Sequence, residues 1–225
     1  MIVSKILLVN EYNLAREGIR HLLLDNKMIS DVDMATNSSD ALRRAKECQP
    51  DIVIMDLGGE HLSVFDVTRR MLANNKQLKI IVLTSQVDEP FPSRVLQAGA
   101  IACLGRKSSV NDLFSAIKAA RLGKRYVSTD VAQGMDQQTN KHENDTPFMS
   151  LSNRELQIMF MFVNGLKVQE IANKLCLSPK TVSTYRYRIF NKLEVRGDVE
   201  MTHMALRYGV LQEAKMLMTE YRKAS

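Results

Sequence analysis

Two patterns of hydrophobic and polar positions alternate through the first 125 residues of the chain. Five short runs at residues 5–9, 32–35, 51–55, 79–83 and 101–104 are rich in Ile, Val and Leu. Each run is too short for a helix and has the composition of a buried parallel strand. Between the runs, apolar residues recur at helical spacing, for example Ala15, Ile19, Leu22 and Leu23. This alternation predicts an α/β fold: a doubly wound, five-stranded parallel sheet with helices on both faces.

The pattern changes in the second half of the chain. Residues 133–147 contain Met135 as their single large apolar residue, which is the composition of a linker. After them, caps and periodicity predict helices over about 153–163, 168–175, 179–193 and 198–208, with Asp198 as a cap and Gly209 as a stop. We therefore expect an α/β domain at 1–125, a linker at 126–148, an all-α four-helix domain at 149–211 and a tail at 212–225.

The charge of the chain is concentrated in the helical half. The 225 residues have a formal net charge of +6, and residues 149–225 carry +5 of it. The third predicted helix holds Lys180, Arg186, Arg188 and Lys192 before its first acid, Glu194. Two helices joined by a short turn, the second strongly basic, form a helix-turn-helix that suits a phosphate-lined groove. A solvated surface face is the simpler alternative, but the caps, the turn and the charge together favour double-stranded DNA as the partner.

Composition restricts the compartment. Of the residues, 45% are hydrophobic and 25% are charged, as in a folded globular chain. The three cysteines form no CxxC pair, which argues against a disulfide framework and against a zinc site. The apolar N-terminal run stops at Asn10, too early for a secretory signal, and no apolar run approaches the length of a membrane span. We expect a cytoplasmic protein with no membrane partner.

Polar residues follow several predicted strands. Asn10 and Glu11 end the first strand, Asp56 follows the third and Thr84 the fourth. The carboxyl ends of parallel strands meet at one edge of a sheet, where oxygen ligands could hold Mg²⁺ with a phosphoryl group. Spacing alone favours the simpler interpretation, polar strand ends in contact with water.

Longer segments resemble a known family. The stretches ILLVNEYNLAREGIRHLL, DIVIMDL and IIVLTSQVDEPFPSRVLQAGA, within about residues 3–122, resemble the receiver domain of NarL/FixJ-type response regulators. LSNREL at 151–156 and EIANKLCLSPKTVSTYRYRIFNKL at 170–193 resemble the LuxR-type helix-turn-helix and are most similar to the GacA/UvrY type. The resemblance implies a cytoplasmic two-component DNA-binding transcription regulator, a phosphoprotein rather than an enzyme.

The same resemblance implies the roles of receiver residues. Asp56 would accept a phosphoryl group from a sensor histidine kinase, and Thr84 and Arg106 occupy the switch positions. Glu11, Asp56 and the backbone carbonyl of Gly58 would hold Mg²⁺.

Several positions depart from the family pattern. Asn10-Glu11 stands where relatives have two acids, normally with Asp as the direct metal ligand. Asn lowers the charge of the site by one, and Glu is one methylene longer than Asp. Arg106 replaces a lysine, Cys103 an aromatic residue and Glu60 a proline. We therefore expect weak Mg²⁺ binding and slow phosphorylation.

In the helix-turn-helix, the resemblance assigns DNA contacts to seven residues. They are Lys180 and Lys192 to phosphates, Thr181 near the backbone, Ser183, Thr184 and Tyr187 facing the major groove, and Arg188. Relatives of this type form a homodimer on DNA through the last helix, which would require inverted half-sites.

Two alternatives stay open at this point. One is a phosphorylation-independent DNA-binding or protein-binding regulator with a pseudo-receiver. The other is an enzyme that uses Asp56 as a nucleophile. Metal binding and an aspartyl phosphate distinguish a working receiver from the first, and turnover of an added substrate would support the second.

Overall fold

The computed structural model describes residues 4–56, 63–85, 87, 90–139 and 147–208. The chain divides into two compact units, Met1–Gln138 and Thr139–Ser225. The first unit is built on a parallel sheet with the strand order β2-β1-β3-β4-β5-β6. Its strands are β1 Ser4–Asn10, β2 Ile29–Ala35, β3 Ile52–Asp56, β4 Lys79–Thr84, β5 Ala102–Gly105 and β6 Tyr126–Val127. Its helices are α1 Asn13–Leu24, α2 Ser38–Cys48, α3 Ser63–Asn74, α4 Phe91–Gln97, α5 Val110–Arg121 and α6 Thr129–Thr139.

The five aliphatic runs are all strands, which confirms the predicted α/β class. The structure differs from the prediction by one strand, because the two-residue β6 pairs with β5 and makes the sheet six-stranded. Both β6 and α6 fall within residues 126–148, the range predicted as a linker, and the first unit extends to residue 138. Two residues are too few to show a period, and α6 is polar apart from a few positions such as the fully buried Val131.

Helices cover both faces of the sheet. On one face, Ile6 and Leu8 pack with Leu23 of α1 and with Ala116 and Ile117 of α5. Elsewhere in this unit, α3 contacts both α2 and α4, and the rings of Phe65 and Phe91 lie 5.3 Å apart between α3 and α4. Leu22, which shares the helical spacing of α1, is exposed, because only one stripe of that helix faces the sheet.

The second unit is helical, as predicted. A 3-10 helix at Pro147–Ser150 precedes α7 Asn153–Val163, α8 Val168–Leu175, α9 Pro179–Leu193 and α10 Asp198–Arg207. Ser152 and Glu155 cap α7 reciprocally, and the Ser178 side chain accepts from the Thr181 N–H at the start of α9. The core contains Leu156, Met159, Ile171, Val182, Ile189, Leu193 and Met201.

One predicted cap is wrong. The N-cap of α10 is Gly197, and Asp198 is the first helical residue. Its carboxylate pairs with the Arg186 guanidinium instead, which draws it away from the end of its own helix. The predicted stop at Gly209 lies outside the described residues. Across the described ranges, no helix combines the length and the apolarity that crossing a membrane requires.

Candidate functional site

The predicted polar strand ends do converge at one edge of the sheet. Asn10 lies beside Asp56 in the register of β1 and β3, and Thr84 lies beside Gly105 in the register of β4 and β5. Asn10, Asp56 and Thr84 are all buried. The parallel topology therefore brings these three side chains together, as the sequence predicts. Gly58, the predicted carbonyl ligand, lies outside the described residues, as does Glu60.

Both carboxylate oxygens of Asp56 are engaged. The Nε and Nη2 groups of Arg106 donate to Oδ1 at 3.0 and 2.6 Å, and the Nδ2 group of Asn10 donates to Oδ2 at 3.1 Å. The Asp56 side chain is only 11% exposed, whereas that of Arg106 is 33% exposed. A guanidinium thus neutralises the carboxylate from the solvent side, and an amide contacts it from the neighbouring strand.

The orientation of the Asn10 amide is fixed by its neighbours. Its Oδ1 accepts from the backbone N–H of Tyr12 at 2.7 Å, so its nitrogen must face Asp56. The Nη1 group of Arg16 donates to the Asn10 backbone carbonyl at 2.8 Å and helps to hold this turn. Asn10 therefore presents a hydrogen-bond donor to the pocket, where an aspartate would present a negatively charged oxygen.

Opposing influences act on the ionisation of Asp56. Burial raises the pKa of Asp56 above that of an ordinary carboxyl group, and the Arg106 hydrogen bonds and charge offset only part of this rise. The negative charge of the exposed Glu11 raises the pKa further, and the Asn10 hydrogen bond lowers it. The acid is thus harder to ionise than a solvated one, although a cation contacts it directly.

These side chains, as arranged, offer a magnesium ion few free oxygen ligands. Mg²⁺ requires oxygen ligands in near-octahedral geometry. Here both Asp56 oxygens already accept hydrogen bonds, and Asn10 turns its nitrogen inward. Among the described residues, no group of three or more His, Cys, Asp or Glu side chains could hold a metal ion. Asn10 thus places a hydrogen-bond donor, and not a metal ligand, at this edge of the sheet.

The other receiver positions lie around this pocket. The Arg106 backbone N–H donates to the Thr84 carbonyl at 2.8 Å. The end of β4 therefore positions Arg106, whose side chain donates to Asp56. Cys103, in the place of the family's aromatic residue, is fully buried within β5. The pocket thus combines the ends of β1, β3 and β4 with the residue that follows β5.

The predicted DNA-contacting residues lie mostly on the exposed side of α9. Lys180, Ser183, Thr184, Tyr187 and Arg188 are exposed, and the Tyr187 side of the helix is the most open, with Tyr187 itself 67% exposed. The opposite stripe, formed by Val182, Ile189 and Leu193, is buried in the unit. Thr181 is half-buried and caps the helix start with Ser178.

Two hydroxyl groups on this face are bonded within the helix. The Ser183 hydroxyl donates to the Pro179 carbonyl at 3.0 Å, and the Thr184 hydroxyl donates to the Lys180 carbonyl at 2.9 Å. Such bonds use the only hydroxyl proton and leave the oxygen as an acceptor. Ser183 and Thr184 therefore present acceptor oxygens on this face, beside the exposed side chain of Tyr187.

Two basic residues of α9 are held by their own unit. Arg186 pairs with Asp198 and lies 5.3 Å from the ring centres of both Phe162 and Phe190. Attraction between the guanidinium and the two aromatic rings explains how a charged residue can pack between helices.

Lys192, predicted to contact phosphate, has an internal partner. Its Nζ lies 2.7 Å from Glu155 Oε2 and 3.2 Å from the Ser150 carbonyl oxygen. Burial alone would raise the pKa of Glu155, but hydrogen bonds from Lys192 and Ser152 outweigh it, so that this pKa lies below the ordinary value. No local sequence pattern predicts this pair, because its members are 37 residues apart.

Comparison with known proteins agrees with both halves of the structure. Residues 6–118 match the family described as response regulator receiver domain, and residues 149–205 match the bacterial regulatory proteins of the luxR family. The chain is 42% identical to the response regulator UvrY of Escherichia coli strain K12 over 206 residues, which cover 91% of this chain and 94% of that protein. It is 39% identical to the response regulator GacA of Pseudomonas aeruginosa, covering 93% of this chain and 99% of the relative.

A solved structure shares the fold. RcsB from Salmonella enterica serovar Typhimurium, bound to promoter rprA in the presence of the phosphomimetic BeF3⁻, aligns with a TM-score of 0.67 and 20% identity. The alignment covers 90% of this chain and 98% of that one. At this identity the likeness concerns the fold alone.

Proposed function

The chain belongs to the response regulators that join a receiver domain to a LuxR-type DNA-binding domain, and from this premise we propose that it regulates transcription by placing α9 in the major groove of double-stranded DNA. The observation that carries this proposal is the division of α9 into a core stripe and an exposed face with Lys180, Tyr187 and Arg188. An α-helix fits the major groove, and exposed cations contact the phosphates on either side. A DNA partner supports a cytoplasmic location for this work.

Binding of labelled DNA across a range of salt concentrations tests the proposal. Lys180→Ala should weaken binding to all sequences alike and reduce the salt slope by about one ion. Tyr187→Ala should instead cost about 1–3 kcal/mol at particular base positions. The matched control is Lys124→Ala, which removes an exposed cation from the first unit. Equal effects of the Lys180 and Lys124 changes would contradict the proposed orientation of α9.

The relatives support a dimer on DNA. A structure of two RcsB dimers bound to two parallel DNAs is known, and that protein shares the fold of this chain. We propose that α10 carries the homodimer contact, where Val199 is 70% exposed. A two-fold dimer would select inverted half-sites, so halving a palindromic site should abolish cooperative binding.

For the first unit, we propose that Asp56 accepts a phosphoryl group from a sensor histidine kinase. A carboxylate oxygen would form the new bond to phosphorus while the bond from phosphorus to the kinase histidine nitrogen breaks. Asp56 ends a buried strand, Thr84 ends the next strand, and Arg106 is bonded to the Asp56 carboxylate, which supports this proposal. Receiver domains generally bind Mg²⁺ at this place, but the engaged oxygens and the inward amide of Asn10 predict weak binding here.

A second candidate rests on the Arg106 contact. Because a guanidinium already pairs with Asp56, the chain itself supplies a positive partner for this carboxylate. This favours a regulator that works independently of phosphorylation. Intact-mass spectrometry after incubation with a small phosphodonor and Mg²⁺ separates the two candidates, with Asp56→Ala as the blank. Members of the family are generally not enzymes, and modification of Asp56 would be self-modification rather than turnover.

A further inference from the structure

The start of helix α6 is bonded to the carboxyl end of β5. The Ser128 hydroxyl accepts from the Gly105 backbone N–H at 3.0 Å and donates to Asp130 Oδ1 at 2.5 Å. The Ser128 backbone N–H donates to the Cys103 carbonyl at 3.2 Å. Ser128 is 1% exposed, so water does not compete for these bonds. A single serine hydroxyl, used both as donor and as acceptor, therefore joins the strand to the helix.

Close packing at Gly105 strengthens this connection. A Cβ atom at Gly105 would lie 1.8 Å from Asp130 Oδ2 and 2.9 Å from Val87 Cγ1, so only glycine fits without a shift. Ser108 places its hydroxyl 3.5 Å from Asp130 Oδ1, at the edge of hydrogen-bonding distance. The Asp130 carboxylate thus fills the space above the end of β5.

We call the pocket formed by Asn10, Asp56, Thr84 and Arg106 the acceptor pocket. The residue that follows β5 belongs to it. Arg106 donates to Asp56 Oδ1 through two groups, and its backbone N–H is bonded to Thr84. Gly105 and Arg106 are therefore adjacent residues with different partners, α6 for one and Asp56 for the other. Arg106 follows Gly105 directly in the chain, so a backbone shift that moves Arg106 also reaches Gly105, whose own N–H is bonded to Ser128.

We propose that Gly105–Arg106, Ser128 and Asp130 couple the state of Asp56 to helix α6. When the Arg106–Asp56 pair changes, the Gly105 N–H is displaced from the Ser128 hydroxyl, and the first turn of α6 is held less firmly. By thermodynamic linkage, loosening α6 alters the Arg106–Asp56 pair in return. Because α6 precedes the second unit in the chain, the coupling gives the acceptor pocket a route to the segment between the units. Its regulatory meaning rests on the proposed role of Asp56.

Hydrogen–deuterium exchange with mass spectrometry on the full chain tests the coupling. The readout is the exchange rate of amides in residues 131–135, and neither DNA nor a phosphodonor is added. Ser128→Ala should raise this rate about tenfold, as expected for the loss of a buried hydrogen bond. Asp56→Asn, which removes the charge opposite Arg106 at nearly constant size, should raise it about fivefold. In the Ser128→Ala background, Asp56→Asn should add nothing.

The matched control is Ser109→Ala. Ser109 caps α5 in the loop that follows β5, and its hydroxyl bonds to Asp112 of α5, so this variant should keep the full response to Asp56→Asn. If Ser128→Ala fails to fold, Asp130→Ala removes the bond by which the Ser128 hydroxyl holds α6 and should also abolish the response. An unchanged exchange rate in Asp56→Asn, or an equal rise with and without Ser128, would overturn the proposal. The result does not depend on DNA binding or on phosphorylation, so it is distinguishable from failure of the proposed function.

Discussion

Replacing Lys192 by alanine should destabilise the second unit, in addition to any effect on DNA. The Lys192 ammonium group lies between Glu155 Oε2 and the Ser150 carbonyl oxygen, at 2.7 and 3.2 Å. The Glu155 side chain is 6% exposed, so Lys192→Ala leaves a buried carboxylate without its cationic partner. This is a common mechanism by which a substitution lowers stability.

The contacts set the size of the effect. Breaking a fully buried pair costs about 3–5 kcal/mol. The Lys192 side chain is 42% exposed, so water reaches the ammonium group and reduces the value of the pair. Glu155 also keeps its capping bond from the Ser152 N–H at 2.7 Å. We therefore expect Lys192→Ala to lower the free energy of unfolding by about 2 kcal/mol, close to the value of one hydrogen bond to a charged group.

Urea unfolding of the full chain, followed by circular dichroism, measures the loss, and hydrogen exchange in α7 and α9 localises it. The matched control is Lys180→Ala on the first turn of the same helix, where the lysine is exposed. That variant should change stability by less than about 0.5 kcal/mol. The difference in the free energy of unfolding between the wild type and Lys192→Ala should also depend on pH. Because the folded pKa of Glu155 is lowered, its contribution is present above the unfolded pKa and is lost as the pH falls through the folded pKa.

Equal stability of Lys192→Ala and Lys180→Ala would refute this reasoning. Lys192 would then be available to phosphates, as the family resemblance implies. A double-mutant cycle with Glu155→Gln gives a second check, because the two changes should couple by about 1 kcal/mol if the side chains depend on each other.

Two further predictions concern the acceptor pocket. The double change Asn10→Asp with Glu11→Asp should increase both Mg²⁺ affinity and the rate of Asp56 labelling by a small phosphodonor, because it restores two acids of family length; rapid, complete labelling of the wild type would contradict the expected weakness. Carbon-13 NMR of labelled aspartate should place the pKa of Asp56 above that of the unfolded chain. Ionised Asp56 therefore costs stability above its folded pKa, and this cost is relieved as the pH falls through that value; a pKa below the ordinary value would show that the Arg106 charge outweighs burial.

Local sequence signals predicted most of the fold because each was reinforced by its neighbours. The aliphatic runs became β1 to β5, since buried parallel strands need apolar side chains on both faces. The caps at Ser152 and Ser178 were predictable because a short polar side chain before a helix satisfies free N–H groups within three residues. The strand β6 could not be predicted, because pairing with β5 and not its own composition defines it.

The candidate site was predictable in its location but not in its contacts. Parallel strands bring their carboxyl ends together, so the sequence alone placed Asn10, Asp56 and Thr84 at one edge. The partners of Lys192 and Ser128 come from residues 37 and 23 positions away, and no local pattern reveals them. Contacts of this kind depend on which face of a packed element each side chain occupies.

The Asn10 position shows how one such contact changes the expected chemistry. If the Asn10 side chain directed its oxygen toward the pocket, asparagine in place of an acid would only reduce the negative charge of the site. The Tyr12 N–H donates to that oxygen, so the amide nitrogen faces Asp56 and donates to it. At a place where receiver domains generally bind Mg²⁺, this chain supplies its own partners for Asp56, the Arg106 cation on one oxygen and the neutral Asn10 amide on the other. We expect a phosphoryl donor to compete with these contacts for the carboxylate, so slow labelling would have its cause in hydrogen bonding as well as in charge.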